Sequence, residues 1–254
     1  MSELVSIYPI SENALTVCLG DKMDVAINDR VFRLFQYLHR HPNPFWKDLI
    51  PAYCTLTVVY DVHVIRKYHP SAFEWVTHEM ERALKACKER EILPARKLRI
   101  PVCYDSEFGF DIKSLAKTHK LSVDQVIELH TQQTYRVYML GFLPGFAYMG
   151  IVDDKIATPR LSTPRKHVPA GSVGIAGNQT GIYPLDSPGG WNVIGRTPLQ
   201  LFTPQACVDT GLGKGTSLYE LLVFFQPGDE VKFYSISKEA YDSFDVRNFN
   251  PFST

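Results

Sequence analysis

Residues 138–202 read YMLGFLPGFAYMGIVDDKIATPRLSTPRKHVPAGSVGIAGNQTGIYPLDSPGGWNVIGRTPLQLF, and this stretch decides the fold. Ten of the chain's 16 glycines and seven of its 17 prolines fall inside it. Glycine permits positive φ and close backbone approach, whereas proline fixes φ and deletes a donor. That mixture does not propagate a helix. Between the breaks lie short β-prone runs at 172–176, 181–183, 191–194 and 199–202. Short strands at frequent turns predict a barrel or sandwich.

Outward from it, Thr134–Leu140 reads as a strand entering the stretch. Ahead of that strand, Ser122-Val-Asp-Gln125 is a capping box opening a helix to about Gln132, with His130 near its end. Asp111 is placed to cap a shorter helix whose Ile112, Leu115 and Ala116 face inward. Lys97–Tyr104 is a strand, and Arg90–Arg96 is the expected boundary, giving domains 1–95 and 96–254. Residues 5–10 and 13–19 predict two strands, Asp24 to His39 a helix, Tyr53–Tyr60 a strand and Ser71–Arg90 a helix. This β-β-α-β-α order predicts a small ferredoxin-like α/β layer, so the whole chain is expected to be α+β.

The 254 residues carry 27 Lys+Arg against 27 Asp+Glu, which argues against a nucleic-acid binder working through a basic field. The start lacks the basic and apolar regions of a signal peptide, and no apolar run approaches a membrane span. Cys18, Cys54, Cys87, Cys103 and Cys207 are odd in number and follow no CxxC spacing, so reduced cytoplasmic thiols are expected.

Several familiar chemistries fail on inspection. Gly171-Ser-Val-Gly174 is not the GxSxG of a nucleophile elbow. In the 211–217 run GLGKGTS, glycine follows the lysine where a phosphate loop needs Ser or Thr. The histidines share no metal-ligand spacing, so no metal site is expected. What remains is an anion-reading set. Arg160 and Arg165 each follow a proline, and Arg196 precedes Thr197-Pro198. Planar guanidinium forks on restricted loops suit carboxylate or phosphate, at about 1.5–3 kcal/mol per bond to a charged partner. Equally, these arginines could tie loops together within the fold. Phe142, Phe146, Tyr148, Tyr183 and Trp191 are core or pocket aromatics. His130 and His167 are proton carriers or satisfied structural histidines. Gln179, Thr180, Asp186 and Ser187 offer polar tips on turns.

Three segments, GFLPGFAYMG (141–150), PRLSTPRKHVPAGSVGIAGNQTGIYP (159–184) and SPGGWNVIGRTP (187–198), closely resemble the allophanate hydrolase subunit 1 family. That family is largely read as the B component of bacterial ATP-dependent 5-oxoprolinase. It also includes an inhibitor of a sporulation histidine kinase and half of the carboxyltransferase domain of urea carboxylase. The motif glycines and aromatics Gly145, Phe146, Gly171, Gly177, Gly189, Gly190 and Trp191 carry the likeness. The resemblance implies a cyclophilin-like β-barrel after the N-terminal domain, and work within a hetero-oligomeric complex. Its partners would be a homologous barrel protein, the C component, and a separate hydrolase, the A component. The reaction would be ATP-driven opening of 5-oxo-L-proline to L-glutamate, with ATP and magnesium serving the complex and none held tightly by this chain alone. Arg160, Arg165 and Arg196 would lie near carboxylate or phosphate, with His130, Gln179 and Tyr183 as further pocket candidates. Among these, His130, Arg160 and Arg165 are the catalytic candidates. Kinase inhibition, or urea- or allophanate-related carboxyl transfer, are the alternatives, and prolyl isomerase activity comes last. The 207–225 connection is longer than the family's usual one, which leaves partner geometry open.

Overall fold

In the computed structural model, which describes residues 5–88, 94–203 and 222–252, the chain divides into two units, Met1–Pro94 and Ala95–Thr254. The predicted elements of the first unit are present: β1 (Ser6–Ser11), β2 (Ala14–Cys18), α1 (Val25–Arg40), β4 (Thr55–Tyr60) and α3 (Ala72–Cys87). Asp24 caps α1 by accepting from the Ala26 and Ile27 amides, and Ser71 caps α3 through the Glu74 amide. The structure adds a strand β3 (Trp46–Pro51) and a single-turn helix α2 (Val62–Ile65) that the sequence pattern does not predict. The order β1-β2-β4-β3 makes β3 an edge strand. An edge tolerates the terminal Pro51 and needs no strict alternation, so the sequence signal is weak. Val31, Leu34 and Leu38 of α1 and Val76, Met80 and Cys87 of α3 pack on Leu15, Val17, Leu56 and Val58 of the sheet.

The second unit is built on a closed barrel. Its strands are β5 (Lys97–Cys103), β6 (Thr134–Leu140), β7 (Ala147–Gly150), β9 (Ser172–Ala176), β10 (Gln179–Ile182), β12 (Asn192–Arg196) and β13 (Glu230–Ile236). They run β10-β7-β6-β13-β5-β12-β9 and close on β10. The β5–β13 pair is parallel, in register from Lys97 with Glu230 to Cys103 with Ile236. Helices α4 (Ile112–Thr118) and α5 (Val123–Gln132) precede β6, and α5 opens with the predicted Ser122–Gln125 capping box. Leu98, Ile100, Val102, Val137, Met149, Val173, Ile175 and Phe233 form the core of this unit with Leu115 and Val126 of the helices. Arg96 donates to both carboxylate oxygens of Asp229, at 2.7 and 2.5 Å, which ties the start of β5 to the turn before β13.

Two further short strands, β8 (Arg165–Val168) and β11 (Ser187–Gly189), form a separate ribbon. Gln179, Thr180 and Ser187 are expected on turns, yet the first two open β10 and Ser187 opens β11. The predicted strand at 199–202 does not form. Leu199 and Leu201 are buried, and Phe202 makes only an isolated bridge with Val223. Pro198 removes a donor where that strand would start. The 90–96 boundary and the 207–225 connection lie largely outside the described residues. A last short helix, α6 (Lys238–Asp242), follows β13.

Candidate functional site

Two glycines on neighbouring strands flatten one patch of the barrel's outer face. Gly174 of β9 and Gly181 of β10 are paired in register. A Cβ at Gly174 would lie 3.0 Å from the Trp191 Cβ, and one at Gly181 would lie 2.8 Å from the Ala147 carbonyl oxygen. Their bare backbones therefore seat a second hydrophobic layer of Phe146, Val168, Ala176, Tyr183, Trp191 and Val193. Phe146 is its hub. Trp191, Tyr183 and Tyr148 meet its ring edge-on, with centroids 5.3, 5.3 and 4.9 Å away. Phe142, which is exposed and holds a left-handed φ of 69°, adds a fourth perpendicular ring at 5.8 Å.

Polar groups converge above this aromatic floor. The exposed Arg160 guanidinium lies over Trp191 at 6.0 Å from the ring centroid. The Trp191 amide donates to the Tyr183 hydroxyl. Burial pushes the Tyr183 phenol up, opposed by the Trp191 amide and then by the Arg160 guanidinium. Tyr148 behaves alike, raised by burial and lowered by Arg160. Gly189 leaves room for Tyr183, because a Cβ there would fall 2.7 Å from two atoms of the phenol ring. Gly189→Ala is therefore expected to cost about 1–3 kcal/mol of stability by overpacking. Denaturant unfolding checks this, and a neutral result would show that Tyr183 can swing away.

Arg165 borders the same region but is already engaged. It donates to Asp111 Oδ1 at 2.5 Å, while Asp111 Oδ2 accepts the Val193 amide at 2.7 Å. The Asp111 amide in turn donates to the Val193 carbonyl at 2.9 Å. The sequence pattern predicts that the Asp111 side chain caps α4, and it makes no such bond. The buried carboxylate gains more from a cation and a buried strand amide than from a helix terminus. Its partners lie 82 and 54 residues along the chain, so no local pattern could have revealed this role. The Arg165 Nη1 atom is buried without a hydrogen-bond partner.

The structure thus brings Arg160, Arg165 and Tyr183 together with Tyr148 and Trp191, and leaves the other candidates elsewhere. Arg196 belongs to a second group. It lies over Phe108 at 5.0 Å, bonds Tyr241, and shares the Phe108 ring with Lys238. Gln179 sits at the far end of β10 from Ile182, in register with Gly150 and Ala176. His167 is exposed and pairs with Asp186 at 3.1 Å. His130 is completely buried. Its Nδ1 meets the Tyr104 hydroxyl at 2.7 Å, its Nε2 meets the Thr180 hydroxyl at 2.9 Å, and its ring stacks on Phe233. Burial lowers its pKa to about 3, so the ring is neutral and packs in the core.

Chemically, the Arg160 face can hold an anionic oxygen against a cation, with the half-buried Tyr148 phenol beside it and the buried Tyr183 hydroxyl already bonded to the Trp191 amide. Among the described residues no group of three or more His, Cys, Asp or Glu side chains is placed to hold a metal ion. Likewise, no described helix is long and apolar enough to cross a membrane.

Comparison with known proteins extends this picture. The family described as "Carboxyltransferase domain, subdomain C and D" matches residues 5–210. The chain is 40% identical over 248 residues to the B component of 5-oxoprolinase from Bacillus subtilis, covering 96% of this chain and 98% of that one. The crystal structure of TTHA0988 superposes with a TM-score of 0.70 at 33% identity, covering 88% of this chain. This chain spans only 40% of that protein's length. Urea carboxylase of Kluyveromyces lactis shares the fold at a TM-score of 0.69 and 16% identity, over 94% of this chain and 22% of that one. With its closed barrel and its near full-length likeness to the Bacillus subtilis 5-oxoprolinase component, the chain belongs to the carboxyltransferase domain, subdomain C and D, family.

Proposed function

We propose that this chain is the B component of an ATP-dependent 5-oxoprolinase, opening 5-oxo-L-proline to L-glutamate together with a homologous barrel C component and a hydrolase A component. The observation that carries the reading is the 40% identity to the Bacillus subtilis B component across nearly the whole of both chains. The geometry agrees with it. 5-Oxoproline is a small ring bearing one carboxylate, and the Arg160 face sets a cation beside aromatic rings. In this reading Arg160 binds the carboxylate or a phosphoryl oxygen, Tyr148 orients the ring amide, and the buried Tyr183 supports Trp191 beneath them. Arg165, neutralised by its pair with Asp111, holds the backbone behind them in place. ATP with magnesium supplies the phosphoryl group that activates the ring amide oxygen. His130 is assigned to packing, and Gln179 and Arg196 stand outside this face. The domain division is taken at 1–95 and 96–254, and the location as cytoplasmic, in keeping with the reduced thiols of Cys18, Cys54, Cys87 and Cys103.

The test is ATP hydrolysis by the complex recovered on a tagged copy of this chain, with and without 5-oxoproline. Stimulation by 5-oxoproline is the expected result. Its absence, with partner subunits present, would sink the reading and turn attention to an inhibitory binding role.

A further inference from the structure

Far from the barrel's arginines in sequence, two cysteines of the first unit are brought together by the fold. Cys18 ends β2 and Cys54 immediately precedes β4, and both are half-buried thiols. Three sets of hydrogen bonds hold their two segments in place. The Leu19 amide donates to the Cys54 carbonyl at 2.8 Å. Asn28 Nδ2 of α1 donates to the Ala52 and Tyr53 carbonyls, each at 3.0 Å. Arg30 donates to the Leu19 carbonyl at 3.1 Å. The thiols themselves are hydrogen-bonded to one another. Cys18 Sγ donates its proton to the Gly20 carbonyl at 3.0 Å, so Cys54 is the donor and the Cys18 sulfur the acceptor.

We infer that Cys18 and Cys54 form a thiol–disulfide exchange site, a reversible modification site that takes a low-molecular-weight disulfide such as oxidised glutathione as its oxidant. The hydrogen-bond direction sets the order of events. Cys18 reacts first, because its sulfur accepts the Cys54 S–H and Cys54 keeps its proton until the second step. Cys54 is held protonated by burial and by the neighbouring Cys18 and Asp21. The Cys18 thiolate attacks one glutathione sulfur, forming a mixed disulfide and expelling one glutathione thiolate. Cys54 then loses its proton and displaces the second glutathione thiolate from Cys18. In sum, two protein thiols are oxidised to one disulfide, one glutathione disulfide is reduced to two thiols, and the two protons pass to the released glutathione. Cys87 and Cys103 are buried, out of reach of so bulky an oxidant.

The test treats the full chain with excess oxidised glutathione, blocks remaining thiols with N-ethylmaleimide under denaturing conditions, and maps the peptides by mass spectrometry. The expected result is loss of two thiols per chain and one linkage, Cys18 to Cys54, reversed by dithiothreitol. Cys54→Ser is expected to stop at a stable glutathione adduct on Cys18. Cys18→Ser is expected to lose the rapid uptake of glutathione. Retention of both thiols, separate adducts on Cys18 and Cys54 in the unsubstituted chain, or a linkage through Cys207 would each overturn the proposal.

Discussion

Arg160→Met is expected to lower 5-oxoproline-dependent ATP turnover of the recovered complex by about 10- to 100-fold while the complex still assembles. The factor follows from losing one charge-assisted bond of about 1.5–3 kcal/mol. Arg160 is exposed, and its guanidinium has no ion-pair partner among the described residues. Its removal therefore strands no buried charge, and methionine keeps an apolar chain in place of the guanidinium over Trp191. Arg165→Met should behave differently. It leaves the Asp111 carboxylate, 11% exposed, without its cation. Breaking a fully buried pair costs about 3–5 kcal/mol, and the 29% exposure of the Arg165 side chain reduces this to about 2–3 kcal/mol. Arg165→Met should thus reduce the yield of folded chain, whereas Arg160→Met should reduce turnover alone. Equal turnover in Arg160→Met and the unsubstituted complex would remove this face from the reaction.

The second large effect is on acid stability, through His130. Its pKa falls from 6.5 in an unfolded chain to about 3 in the barrel. Between those values the unfolded chain holds a proton that the folded chain does not. Stability from this group is complete above pH 6.5 and falls as pH drops toward 3, by about 1.4 kcal/mol per pH unit within the window. Below about pH 3 the folded form also takes the proton and the slope vanishes. His130→Gln should remove this slope while keeping polar contact with Tyr104 and Thr180. Urea unfolding at several pH values, comparing the slopes of the two proteins, checks the claim. Parallel slopes would show that the native imidazole titrates normally and is reached by water.

Residue type and spacing alone determined most of the local structure here. Asp24, Ser71 and the Ser122–Gln125 box mark helix starts because a cap is satisfied within three residues of itself. The apolar faces of α1 and α3 and the short β runs of residues 172–176 and 134–140 follow from periodicity, which is also local. The dense Gly and Pro pattern of residues 138–202 announced a barrel or sandwich of short strands, and the family likeness chose the barrel. Edge strand β3 and the β8–β11 ribbon escaped, because a strand with one free edge imposes few demands on composition.

The three-dimensional packing alone decided which polar residues act together. Arg160, Arg165 and Arg196 look alike in sequence, each in the company of proline. Only the fold sets one over Trp191, locks the second to Asp111 and sends the third to Phe108 and Tyr241. His130 reads as either a proton carrier or a structural histidine until its two nitrogens are found buried against Tyr104 and Thr180. Cys18 and Cys54, separated by a helix and a strand, meet because antiparallel pairing of β2 with β4 brings their ends level. Caps and periodicities are written within a few residues, so one sequence suffices to read them. Charge partners, burial and paired thiols depend on contacts between distant segments, and those exist only once the barrel and sheet have closed.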